Sequence, residues 1–158
     1  MQMIEIERKF LVISDAYKKE AITTTKIAQG YLSKHPERNV RIRIRGEKAY
    51  ITVKGASNTT GTSRFEWEKE IDIEEGKSLL SLCERPIIDK YRYEIKSGNH
   101  LFEVDEFLDE NQGLVIAEVE LTHEDETFIK PDWLGEEVTG DTRYYNSQLT
   151  NVPFSKWV

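Results

Sequence analysis

Charge alternates with bulk along most of this chain, two residues at a time. Ile4, Ile6 and Phe10 alternate with Glu5, Glu7 and Lys9, and Val40, Ile42 and Ile44 with Arg41, Arg43 and Arg45. The pattern returns at Ile51 and Val53 with Thr52 and Lys54, and at Phe65, Trp67 and Ile71 with Arg64, Glu66, Glu68 and Glu70. It returns again at Tyr91, Tyr93 and Ile95 with Lys90, Arg92 and Glu94. Two further runs set Phe102 and Val104 against Glu103 and Asp105, and Ala117, Val119 and Leu121 against Glu118 and Glu120. Successive side chains of a strand point to opposite faces, so a period of two predicts half-buried β-strands. Arg45, Gly46, Glu47 and Lys48 predict a hairpin turn, as do Ser97, Gly98 and Asn99. The polar stretch 55–63 predicts a mobile loop between two strands. Helices are few: a short one capped by Ser14 or Asp15 and ending near Ile22, a second over 74–83, a brief turn over 124–129 and another over 144–149. The fold class is therefore mainly β (α+β), antiparallel, with a few flanking helices. With 158 residues, no internal repeat and no Gly/Ser-rich linker, the chain reads as one domain, 1–158.

An antiparallel sheet with one wetted face also alternates. Here the polar face is almost wholly ionic, and its signs are sorted by strand. The strands of Arg41 to Arg45 and of Lys90 and Arg92 are basic; those of Glu66 and Glu68 and of Glu118 and Glu120 are acidic. Arginine outnumbers lysine on this face, and its planar fork suits phosphate oxygens. The opposite face carries Phe10, Phe65, Trp67, Tyr91, Tyr93 and Phe102, residues whose size favours burial. The apolar faces are expected to pack against helices or partner strands, and the charged faces to turn inward and line a closed barrel.

Such an interior has a chemistry. Basic rows hold the oxygens of a triphosphate. Carboxylates hold Mg²⁺ or Mn²⁺, hard cations that bridge to phosphate. Two glutamates at i and i+2 point the same way and suit one such ion. Without a ligand the arrangement is costly, because buried unpaired charge is expensive.

The run Ile4, Glu5, Ile6, Glu7, Arg8, Lys9 and Phe10 contains E-x-E-x-K, which resembles the opening motif of the CYTH superfamily, also called triphosphate tunnel metalloenzymes. Later stretches resemble it in order: Gln29 to Leu32, Val40 to Arg43, Thr52 to Gly55, Lys90 to Tyr93, Phe102 to Phe107, Ala117 to Leu121, Glu137 to Asp141, and Tyr144 to Ser147. The resemblance covers nearly the whole chain. It implies an eight-stranded antiparallel tunnel with an ionic interior and metal-dependent chemistry on inorganic triphosphate, thiamine triphosphate, an RNA 5′-triphosphate or ATP. Carried over by position, it implies that Glu5, Glu7, Glu118 and Glu120 bind metal, with Glu66 and Glu68 holding a second ion or ordering water. Lys9, Arg41, Arg43, Lys54, Lys90 and Arg92 would hold phosphates, with Asp105, Arg45, Arg64 and Glu103 supporting them. Lys9 and Tyr31 would form a catalytic pair. Leu101 departs from the tryptophan common in similar chains, which concerns packing.

Similar short bacterial chains are often inorganic triphosphatases, so hydrolysis of tripolyphosphate to pyrophosphate and phosphate is the first reading. A class IV-like adenylate cyclase, a thiamine triphosphatase and a non-catalytic polyphosphate or nucleotide sensor are the alternatives. A net charge of −7 argues against nucleic-acid or anionic-membrane partners. The lone Cys83 and the charged start of the chain point to the cytoplasm. An apolar face that few helices can cover points to a homodimer. His35, His100 and His123 are too scattered for a zinc site or a triad. Cys83, Trp133 and Trp157 read as packing residues, and residues 124–126 as a solvated acidic face.

Overall fold

The computed structural model describes residues 3–157. The strands are β1 (Ile4–Val12), β2 (Thr23–Ser33), β3 (Arg38–Arg45), β4 (Lys48–Ser57), β5 (Ser63–Ile71), β6 (Ile88–Ser97), β7 (His100–Phe107), β8 (Val115–Glu120) and β9 (Leu134–Glu137). Eight of them run in the order β5-β4-β3-β2-β6-β7-β8-β1, and β1 pairs again with β5 to close an antiparallel barrel. The closing strand is shared. One edge of β1 pairs with β8 over residues 7–11, while the other meets β5 at residues 4–6 and β9 at Phe10 and Val12. Closure leaves no long unpaired edge in the barrel.

Register sorts the faces. Lys9 lies opposite Glu118, Glu118 opposite Glu103, Arg92 opposite Asp105, and Tyr31 opposite Arg41. Cross-strand partners share a face, so these pairings carry the ionic side chains to one wall. Both predicted hairpins form with two-residue loops, and their glycines, Gly46 and Gly98, take φ of 59° and 60°. That left-handed backbone suits the twist of a tight hairpin and favours glycine.

Outside the barrel, α1 (Tyr17–Glu20) and residues 121–134 cover β1, β6, β7 and β8. Tyr17 and Trp133 meet edge-on at 5.9 Å, and Trp133 meets Phe102 at 5.7 Å. Helix α2 (Ile73–Ser81) covers β3 and β4; the Asp72 carboxylate caps it by accepting from the Glu74 amide at 3.1 Å. A second apolar cluster sits at one end of the barrel. Leu11, Ile88, Phe107 and Ile116, on the same strand faces as the ionic residues, pack there against Leu114, Val138, Tyr144 and Leu149. The C-terminal segment with α3 (Asn146–Leu149) thus forms a floor.

Several expectations change. The first helix shrinks to Tyr17–Glu20, and α2 stops at Ser81, short of Cys83. Residues 124–129 form no helix, because the Glu126 carboxylate takes the Thr122 amide and hydroxyl and contacts the His100 ring, local bonds that compete with a helical turn. The loop after β4 narrows to 58–62 and is tied down: Asn58, Thr60 and Thr62 all donate to the Glu124 carboxylate. Phe65 and Tyr91 stay 43% and 38% exposed, since α1, α2 and residues 121–134 cover other parts of the outer face. Strands β2 and β9 complete the set that the alternation left out.

Candidate active site

A cavity of about 220 Å³ lies inside the barrel. Glu5, Glu7 and Lys9 reach it from β1, Tyr31 from β2, and Arg41, Arg43 and Arg45 from β3. Lys54 comes from β4, Arg64, Glu66 and Glu68 from β5, Lys90 and Arg92 from β6, Glu103 from β7, and Glu118 and Glu120 from β8. Of the residues singled out in the sequence, Asp105 alone is not on the cavity wall. It sits behind the basic residues and holds them.

The basic wall is built around that carboxylate. Arg92 grips Asp105 with two bonds of 2.8 and 2.9 Å and reaches Glu103 at 3.3 Å. Such a fork is both strong and directional. Lys90 Nζ stands 2.7 Å from Asp105 Oδ2, an oxygen it shares with Arg92. Burial alone would raise the Asp105 carboxyl, but Arg92 and Lys90 hold it far below the usual range. Burial, with Arg92 and Arg43 alongside, outweighs Asp105 at Lys90 and presses its ammonium down to about 7. The Arg43 guanidinium is pressed down to about 9 by burial and by Arg41 and Arg92; its Nε donates to Gln29 Oε1 at 2.9 Å. Arg41 donates to Thr52 at 3.2 Å and lies 3.5 Å from Glu68, while its buried Nε has no partner among the described residues. Arg41, Arg43, Lys90 and Arg92 crowd one another, and Arg41 Nε lacks a partner among the described residues, a state that a polyanion relieves.

The acidic wall behaves differently. Lys54 lies between Glu5 and Glu66, at 3.1 and 3.2 Å, and Lys9 is 3.7 Å from Glu118. Burial first, then Glu118 and Glu5, raise the Glu7 carboxyl well above its ordinary range. Burial opposes ionisation of Glu118 too, but Lys9 and a hydrogen bond from Glu7 bring it far down. These two neighbouring carboxyls are thus pushed in opposite directions. Glu66 and Glu120 are also raised, burial being the main cause at each. Among the described residues no three acids converge tightly enough to hold an ion as they stand. The donor set still fits a hard divalent cation. It offers carboxylate oxygens only, crowded so that like charge adds to burial in raising Glu7. The groups available to such an ion are Glu5, Glu7, Glu118 and Glu120, with Glu66 and Glu68 at the side.

Lys9 and Tyr31 both line the cavity, from strands on opposite sides of the barrel, and no hydrogen bond joins them among the described residues. The Tyr31 hydroxyl accepts from Gln29 at 3.3 Å. Lys9 instead donates to the Tyr144 carbonyl at 3.5 Å and lies 5.0 Å from the Tyr145 ring. Arg64 stands 5.7 Å from the same ring. Tyr145, Asn146, Ser147 and Thr139 line the cavity, as does Asn39 on β3. None of these was singled out as a site residue. The motif from Tyr144 to Ser147 was visible, but nothing in its spacing says which wall it meets.

A family model described as CYTH domain matches residues 3–152. An inorganic triphosphatase of Acetivibrio thermocellus is 49% identical over 154 residues, covering 97% of each chain. An inorganic triphosphatase of Nitrosomonas europaea is 38% identical over 152 residues, covering 93% of this chain and 97% of the other. A crystal structure of an inorganic triphosphatase superposes with a TM-score of 0.66 at 35% identity, over 92% of this chain and 93% of that one. Motif order, a closed eight-stranded tunnel and full-length similarity agree, and the chain belongs to the CYTH domain family.

Proposed function

We propose that the protein is a metal-dependent inorganic triphosphatase that cleaves tripolyphosphate to pyrophosphate and phosphate, using Mg²⁺ or Mn²⁺. The observation that carries this reading is one cavity with two opposed walls: basic residues packed around Asp105, and carboxyls crowded together from β1, β5 and β8. The two relatives named inorganic triphosphatase support it.

In this reading Arg41, Arg43, Lys54, Lys90 and Arg92 bind the phosphate chain, and the free Nε of Arg41 gains an oxygen. Asp105 keeps Arg92 and Lys90 aimed inward. Glu5, Glu7, Glu118 and Glu120 hold the divalent ion, which when bound polarises the phosphoryl oxygens and lowers the pKa of water. Lys9, between Glu118 and Tyr145, stands on the boundary of the two walls and steadies charge at the cleaved phosphate. Tyr31, steadied by Gln29, faces the same cavity as Lys9 and acts with it on the bound phosphate. The filled floor and charged lining offer little to an organic group, which favours inorganic substrate over ATP or thiamine triphosphate. A cytoplasmic site of action follows from the lone thiol.

The test is phosphate release and cyclic AMP formation measured together on tripolyphosphate, ATP and thiamine triphosphate, each with Mg²⁺, Mn²⁺ or EDTA. Cleavage of tripolyphosphate well above the others, abolished by EDTA, is expected. Glu5→Ala should lower kcat/KM by roughly a hundredfold or more, the scale of losing a charge-stabilising group. Cyclic AMP as the main product, or a Glu5→Ala variant as active as the parent, overturns the reading.

A further inference from the structure

We propose that Asn146 is a substrate-binding residue whose side-chain NH₂ donates to a phosphate oxygen, a proposal that rests on the triphosphatase reading. Asn146 is the first residue of α3 and brings the floor to the basic wall. Its Oδ1 accepts two hydrogen bonds, from Lys90 Nζ at 3.0 Å and from Gln29 Nε2 at 3.1 Å. Both donors are shut off from water, at 1% and 0% exposure. Two donors converging on one oxygen fix which way the amide lies, since an amide oxygen only accepts and its nitrogen only donates. The NH₂ is left without a protein partner among the described residues, on a side chain that lines the cavity next to Lys90 and Arg43.

Charge explains why an amide suits this point. A carboxylate here would neutralise Lys90 and repel phosphate, and a cation would repel Lys90. The neutral amide does neither. It also completes a relay in which Arg43 donates to Gln29 and Gln29 donates to Asn146, so two cations are positioned without losing charge.

The experiment compares the parent with Asn146→Asp, Asn146→Ser and Asn146→Ala. It reads kcat and KM for tripolyphosphate, melting temperature, and tripolyphosphate affinity by calorimetry. Asn146→Asp keeps the shape but replaces the donor by an acceptor beside Lys90. Its melting temperature should hold or rise while affinity falls by about tenfold to a hundredfold, the scale of a charge-assisted hydrogen bond. Serine, which keeps a donor, should fall between parent and alanine, so the affinity order is parent, serine, alanine, aspartate. A folded Asn146→Asp with parental KM and affinity overturns the proposal. So do equal losses in all three variants that track lower melting temperatures. If the parent does not cleave tripolyphosphate, the triphosphatase reading fails, yet the calorimetric order still decides the role of Asn146.

Discussion

Lys90 is an ammonium enclosed by the barrel, with two arginines and one aspartate for company. Its folded pKa, about 7, lies below the ordinary lysine value. A depressed pKa means that stability is lost as pH falls from the ordinary lysine value to about 7, because the unfolded amine takes up a proton that the buried one resists; at high pH, where both are neutral, the cost vanishes. Lys90→Met should therefore raise the melting temperature over the parent more at about pH 6 than at about pH 10, while abolishing most activity. Thermal unfolding at both pH values checks this, and an equal gain at both would refute it. The same residue shows what the sequence could reveal. Alternation with Tyr91 put Lys90 on an ionic face, and charge made it conspicuous. Asn146 and Tyr145 carry no formal charge and sit in a segment without period, so their place at the site came only from the fold. The approach of Lys9 to the Tyr145 ring is of the same kind, since it depends on where the C-terminal segment packs.

Elements were legible where both faces carried a signal. The hairpins at Gly46 and Gly98 follow from glycine between alternating runs. Strand β2 was harder, with Thr23, Thr24 and Thr25 polar on both faces and Gly30 in the middle. Gly30 has a tertiary reason: a Cβ there would come 2.6 Å from the Cys83 Cβ. Strand β9 is four residues long and contains two glutamates and a glycine, too little for a period to show. Helix α2 was legible from its leucines, but its close seat was not. A Cβ on Gly76 would collide with the Ala49 Cβ on β4, an atom fixed by the backbone. Gly76→Val should cost about 1–3 kcal/mol of stability through overpacking. Because α2 lies outside the barrel, kcat of the folded fraction should stay near that of the parent. Urea unfolding and kinetics on one preparation separate the two effects, and an unchanged unfolding midpoint would count against the tight seat.

At the scale of the molecule, the barrel was legible because sorted ionic faces opposite aromatic ones make most sense when the charge turns inward. The floor was not, since Leu11, Phe107 and Ile116 read as ordinary apolar strand residues until the C-terminal segment covered them. A cavity strained by like charges should be stabilised by whatever neutralises it. A ligand at about a hundred times its Kd adds about 2.7 kcal/mol. Tripolyphosphate with a divalent ion should reach that scale. The divalent ion alone should stabilise more as pH rises through the elevated Glu7 value, because it competes with the proton held there. Melting curves with and without Mg²⁺ or Mn²⁺ between about pH 5 and pH 8 test this, and a pH-independent gain would go against it.

Strand β1 carries Glu5, Glu7 and Lys9 and precedes every other strand, yet it pairs only with β5, β8 and β9. Lys9 waits for Glu118, about a hundred residues later. On the ribosome, then, β1 emerges long before its main partner exists, and contacts so distant in sequence form slowly. The acid-bearing strand stays wetted through most of synthesis, where its glutamates help keep a nascent sheet from pairing with its neighbours. The cavity is complete only once β8 and the floor segment with Val138, Tyr144 and Leu149 have been made, so the capacity to bind a triphosphate arrives late.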